Sequence, residues 1–154
     1  MFSNILLAVA GSEASVQAAR KGIALASCLN AKVTVVAVTF PWAEYFAREL
    51  AVVVPDVVVP EPEYDDKRNA SAAGILQGVE TDARSAGVAV KSLHRMHRDP
   101  WQAILDVAKH DGCDLIVMGS HRKIGFTGAL LGSETMTVLT HTSSPVLIYR
   151  QNEQ

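Results

Sequence analysis

Between Gly119 and Ser133 the chain reads Gly-Ser-His-Arg-Lys-Ile-Gly-Phe-Thr-Gly-Ala-Leu-Leu-Gly-Ser and holds four of the ten glycines. Glycine accepts the positive φ that tight turns require, so this stretch can aim successive backbone N–H groups inward around an anion. Ser133 and Thr135 then stand at the start of a helical segment, whose free N–H groups favour phosphate. An ordinary strand-to-helix loop with a serine cap has the same spacing, and glycines alone do not separate the two. Other chemistry finds little support. Ala10-Gly11-Ser12 offers neither the acidic residues of a phosphoacceptor site nor a GxGxxG fingerprint, and no GK[ST] loop occurs. Ser120 and His121 are neighbours on a loop, which makes no nucleophilic triad. His94-Arg95-Met96-His97 is an incomplete metal set among cations and reads as a solvated strand end. Lys91, Arg95 and Arg98 form a basic run at the carboxyl-end rim, a solvated face or a contact for an acidic partner. Trp42 and Trp101 read as packing residues.

The elements that must position these groups follow from periodicity. Ile5 to Ala10 is a continuous apolar run, as in a buried strand, and Ser12 caps a helix with Val16, Ala19, Ile23 and Ala26 on one face. Asn30 closes that helix, and the Val-rich Lys32 to Thr39 is a second strand. A helix with Ile75, Leu76, Val79, Ala83 and Ala86 stops at Gly87, and Val88 to Leu93 is the third strand. Asp99-Pro100 opens a helix with Trp101, Ile104, Leu105 and Ala108 on one face, ended by Gly112. Leu115 to Met118 is the fourth strand, a short helix runs from about Ser133 to His141, and Val146 to Tyr149 is the fifth strand. Strands alternating with helices, without hairpin signals, specify a doubly wound five-stranded parallel sheet, flavodoxin- or Rossmann-like, with helices on both faces. Its ligands bind where strand order reverses, here between Ala10-Gly11-Ser12 and Met118-Gly119 if the first and fourth strands are neighbours. The Phe40–Tyr64 connection carries Pro41, Pro55, Pro60 and Pro62 and is too long for a simple crossover, so it is either a packed flap or a mobile loop.

Composition sets outer bounds. The 154 residues suit a single domain, 1–154, and 49% hydrophobic against 19% charged residues exclude a disordered chain. A net charge of −2 argues against general nucleic-acid binding. No segment approaches the roughly 18 apolar residues of a membrane span, and the apolar start lacks a basic leader. Cys28 and Cys113 fit no disulfide or zinc pattern and read as buried thiols of a cytoplasmic protein.

Gly119, Gly132-Ser133 and the closing Ser144-Pro145-Val146-Leu147-Ile148-Tyr149 resemble the universal stress protein family, whose signature is Gly, two residues, Gly, nine residues, Gly, then Ser or Thr. Ile5 to Ser15 is similar to that family's first strand and turn, and Cys113 to Gly119 to its fourth strand. The resemblance spans Asn4 to Arg150. It implies a stress-response protein that binds an adenine nucleotide, ATP or AMP. Ala8 and Val38 would border the base, and Gly119, Ser120, His121, Gly132, Ser133 and Thr135 the phosphates. Two positions depart from the family pattern. Ala10 replaces an aspartate at the end of the first strand, and Arg122 replaces the second signature glycine. Arg122 and Lys123 add positive charge beside a phosphate, while Glu134 adds negative charge or helps to hold Mg²⁺. No general base faces the phosphates, so binding without efficient catalysis is expected, with slow ATP hydrolysis at most. The alternative is a dimeric scaffold that has lost its nucleotide. In either case the last strand, Val146 to Tyr149, would lie at the sheet edge and join a homodimer.

Overall fold

The computed structural model describes residues 1–50, 58–121 and 132–151. In chain order the elements are β1 (Asn4–Val9), α1 (Glu13–Leu29), β2 (Lys32–Thr39), α2 (Trp42–Leu50), α3 (Glu61–Ser85), β3 (Val90–Met96), α4 (Pro100–His110), β4 (Leu115–His121), α5 (Ser133–His141) and β5 (Val146–Gln151). The five strands form one parallel sheet in the order β3-β2-β1-β4-β5. The chain therefore winds outward from β1 to β3, then crosses back to β4 on the other side of β1. That reversal lies between β1 and β4, so their carboxyl ends diverge into a crevice.

Period-2 alternation divides the core into two layers. Ile5, Leu7 and Val9 face α1 and α3 together with Val33, Val35 and Val117. Leu6, Val36, Ile116 and Met118 face the opposite way, with Ile104 and Val107 of α4 and Val138 of α5. Both faces are buried, which explains why the central strands read as unbroken apolar runs.

Helix ends follow their local chemistry. Ser12 accepts the Ser15 N–H through its hydroxyl at 3.3 Å, and Asn30 closes α1 in the left-handed region at φ 54°. On α1 the buried line is Ala14, Ala18, Ala19, Gly22, Ile23 and Ala26, with Val16 only half-buried. Ala19, Ile23 and Ala26 of the expected face are thus buried, and small residues let the helix lie close to the sheet.

Several strand boundaries are corrected. The third strand starts at Val90, not Val88, because Gly87 turns the chain at φ 71° and the Val88 N–H is taken by the Ala83 carbonyl. It then continues to Met96 through polar residues, as an edge strand can. β4 extends past Met118 because Gly119, Ser120 and His121 pair with Tyr149, Arg150 and Gln151 of β5. Gly119 to His121 therefore belong to a strand and not to the loop that the glycine pattern suggests.

Part of the long connection is a packed helix. α2 stacks Trp42 and Phe46 with ring centroids 5.4 Å apart, and its Tyr45 lies 5.1 Å from Tyr64 of α3. Pro60 and Pro62 flank the start of α3, where a missing N–H costs nothing. Cys113 is buried as expected, whereas Cys28, near the end of α1, is exposed. Lys91 lies in the first half of β3 and pairs at 2.8 Å with Asp111, which follows α4, away from the carboxyl-end rim. Among the described residues no helix is long and apolar enough to cross a membrane.

Candidate functional site

The turn after β1 is tied to α1 by one side chain. Ser15 accepts the Ala10 N–H through its hydroxyl at 2.6 Å and donates back to the Ala10 carbonyl at 2.9 Å. This reciprocal pair fixes the direction in which Ala10 leaves the strand. Gly119 of β4 lies directly beneath the same helical turn. A Cβ at Gly119 would meet the Ala14 carbonyl and come within 2.7 Å of the Ser15 nitrogen. Glycine is needed here for close approach of two backbones.

From Gly119 the geometry passes to α5. The buried Ser120 accepts the Gly132 N–H through its hydroxyl at 3.1 Å, joining the end of β4 to the residue before α5. Gly132 has φ −58°, an ordinary value, and a Cβ there would meet nothing among the described residues within 4 Å. The expectation that this glycine supplies a positive φ is therefore corrected. Gly132, not Ser133, occupies the cap position, and among the described residues no side chain bonds the first N–H groups of α5. The start of this helix keeps the partial positive charge that attracts an anion.

Glu134 reaches across to α4. Its carboxylate accepts the Trp101 N–H at 3.0 Å, a bond that the Asp99 side chain at the cap position does not make. Trp101 stacks on His141 with centroids 4.4 Å apart, holding the first turn of α4 against the last turn of α5.

Between these groups lies a crevice of about 170 Å³. Ala8, Val36, Val38, Ile104 and Met118 give it apolar walls, while Ser12, Ser15, Glu134 and Thr135 supply polar groups. Of the residues singled out from sequence, Ala8, Val38, Gly119, Glu134 and Thr135 line this crevice, and Ser120 and Gly132 adjoin it through their hydrogen bond. Ser133 is exposed as the first residue of α5, and the backbone of His121 closes β4. Arg122 and Lys123 lie outside the described residues. Sequence reasoning placed Met118 at the crevice but missed Ile104 of α4, which lines it together with Ala8, Val38 and Met118 of the sheet. Met118 pairs with Ala8 across the strands, a register that periodicity does not reveal.

The fit to a nucleotide is chemical as well as spatial. Apolar side chains at one end suit a base, and free helix N–H groups at the other suit phosphate. For a cation the donors are fewer. Glu134 is the only carboxylate among the described lining residues, and Trp101 already engages one of its oxygens. Among the described residues no group of three or more His, Cys, Asp or Glu side chains gathers to hold a metal. His94, considered for metal, instead shares a 2.8 Å hydrogen bond with Thr39. Burial, helped by the Arg95 charge, lowers its pKa below the usual histidine value.

The family model "Universal stress protein family" matches residues 1–150. The Bacillus subtilis universal stress protein YxiE is 31% identical, over 97% of this chain and all of that protein. The structure of MJ0577, a universal stress protein of Methanocaldococcus jannaschii, superposes with a TM-score of 0.78 at 24% identity, covering 100% of this chain and 99% of the other. A universal stress protein family member from Arabidopsis thaliana, solved with AMP bound, superposes with a TM-score of 0.65 at 16% identity, covering 97% and 92%.

Proposed function

We propose that this chain, which belongs to the universal stress protein family, is a cytoplasmic stress-response protein that binds an adenine nucleotide, AMP or ATP, in the crevice between β1 and β4. The observation that carries the reading is the junction of an apolar slot with an uncapped helix start, Ala8, Val38, Ile104 and Met118 beside the first turn of α5. The AMP held by the Arabidopsis family member supports the ligand class.

In this reading the base enters between Val38 and Ile104, where apolar burial supplies the attraction. Phosphate oxygens accept from the first N–H groups of α5, and Thr135 adds a hydroxyl at the wall. Mg²⁺, where it accompanies ATP, is held mainly by phosphate oxygens and water, with Glu134 as its one carboxylate neighbour. The protein works as a nucleotide-dependent binding partner and not as an enzyme: among the described polar lining residues Ser12, Ser15, Glu134 and Thr135, the one carboxylate, Glu134, is engaged by the Trp101 N–H.

A homodimer through β5 belongs to the same reading. β5 ends the sheet, and Leu147 is 40% exposed on it. Pairing two such edges across a two-fold axis satisfies both rows of backbone groups.

Ala10 favours a second reading, a scaffold without nucleotide. Its methyl group offers no acceptor to a ribose or a base amine, and Ser15 already engages its backbone. Mass spectrometry of small molecules released from denatured protein, followed by calorimetry with ATP and Mg²⁺, separates the two. A retained adenine nucleotide, or saturable binding, supports the first reading. Protein that carries none and gives no heat on titration supports the scaffold.

A further inference from the structure

A second hollow opens at the carboxyl ends of β1 and β2, beside α3. It holds about 250 Å³, between Val9 and Thr39 of the sheet, Ile75 and Arg68 of α3, and Tyr45 of α2. Arg68 is the only charged residue among its described lining. The Arg68 Nε is shielded from solvent and has no hydrogen-bond partner among the described residues, while its guanidinium carbon lies 5.6 Å from the Tyr64 ring centroid. Asp65, also on α3, has a buried oxygen without a partner among the described residues but does not line the hollow. Tyr64 is fixed by donating its hydroxyl to the Phe40 carbonyl at 2.7 Å. Burial raises its pKa against the opposing pull of Arg68, so the phenol stays protonated and adds no negative charge. Arg20, Arg48 and Arg84 pair with carboxylates, whereas the shielded Arg68 Nε has no hydrogen-bond partner among the described residues.

We propose that this hollow is a binding site for a small carboxylate bearing a ring-sized apolar group. The guanidinium at Arg68 offers its N–H fork to the carboxylate, a geometry in which charge-assisted pairs are strong. Tyr45 and Tyr64 present aromatic surface to the ring, and Val9 and Ile75 close the apolar end. α2 contributes Tyr45 to this wall and is held against α3 by the ring contacts of Tyr45 and Phe46 with Tyr64. The hollow adjoins the nucleotide crevice, and Val9, Ala10 and Val38 border both, but Arg68, Ser71 and Ile75 of α3 border the hollow alone.

The test is an amide-shift titration of the whole chain with phenylacetate, and with phenethylamine as a cation of similar shape. The expected dissociation constant is on the order of a millimolar, what a ligand of about ten non-hydrogen atoms reaches at modest efficiency. Shifts should cluster at Thr39, Arg68, Ser71 and Ile75, and phenethylamine should produce none there. Arg68→Gln should weaken phenylacetate at least about tenfold, and Arg68→Lys by less, since it keeps the charge but not the fork. The proposal is overturned if phenylacetate causes no shifts, if they fall at Gly119 and Thr135 instead, if the amine binds as well, or if folded Arg68→Gln binds as tightly as the unmodified chain.

Discussion

Two glycines of the family signature do different work. Gly119 lies against the Ala14 carbonyl and Ser15 nitrogen, so any side chain must push apart two backbones. Gly119→Ala should destabilise the fold by about 1–3 kcal/mol, the usual cost of overpacking, seen as a lower urea midpoint at unchanged slope. Gly132→Ala should change stability by less than about 0.5 kcal/mol, because its φ is ordinary and a Cβ would meet none of the described residues. Ala10 is the informative departure from the family pattern. A carboxylate there would accept from a ribose hydroxyl or base amine, a hydrogen bond to a charged group contributing roughly 1.5–3 kcal/mol. Ala10→Asp should therefore tighten adenine nucleotide binding about 10- to 100-fold by calorimetry. A folded Ala10→Asp protein that gains nothing would move the scaffold reading ahead.

Elements were legible where burial is two-sided. β1 and β2 read correctly as apolar runs, since both their faces meet helices. β3 did not, because an edge strand carries Lys91, His94 and Arg95 without breaking its ladder to β2. α2 was hidden by the prolines around it, although Trp42, Tyr45 and Phe46 recur at helical spacing. At the candidate site the loop chemistry drew attention to Gly119 and Thr135. The place of Ile104 in the lining depends on packing between distant elements and left no local signal. One tie between elements carries a pH signature. Ser3 and Asn4, at the start of β1, donate to the Asp114 carboxylate just before β4, with backbone bonds of 2.8 and 3.1 Å. Burial pushes the Asp114 pKa up, but these bonds outweigh it and hold the group below the usual aspartate value. A depressed folded pKa stabilises above the unfolded value, near about 3.9, and that contribution is lost as pH falls through the folded value. Asp114→Asn should thus cost about 1 kcal/mol at neutral pH. The gap from the unmodified protein should shrink in urea melts run below the ordinary aspartate range. A gap independent of pH would mean the carboxylate charge plays no part.

For the whole molecule, the doubly wound order places one candidate crevice at the β1–β4 reversal and leaves β5 as an open edge beside the exposed Leu147. A proline at Leu147 or a charge at Ile148 should shift sedimentation from dimer to monomer, since each disrupts an edge-to-edge pairing. An unmodified chain that sediments as a monomer at high micromolar concentration would contradict that assembly. The central claim is that the crevice takes an adenine nucleotide, and a crystal structure grown with saturating ATP and Mg²⁺ tests it most directly. The account predicts the base between Val38 and Ile104, with phosphate oxygens on the first N–H groups of α5 near Thr135. An empty crevice under those conditions, or nucleotide bound elsewhere on the chain, would contradict it.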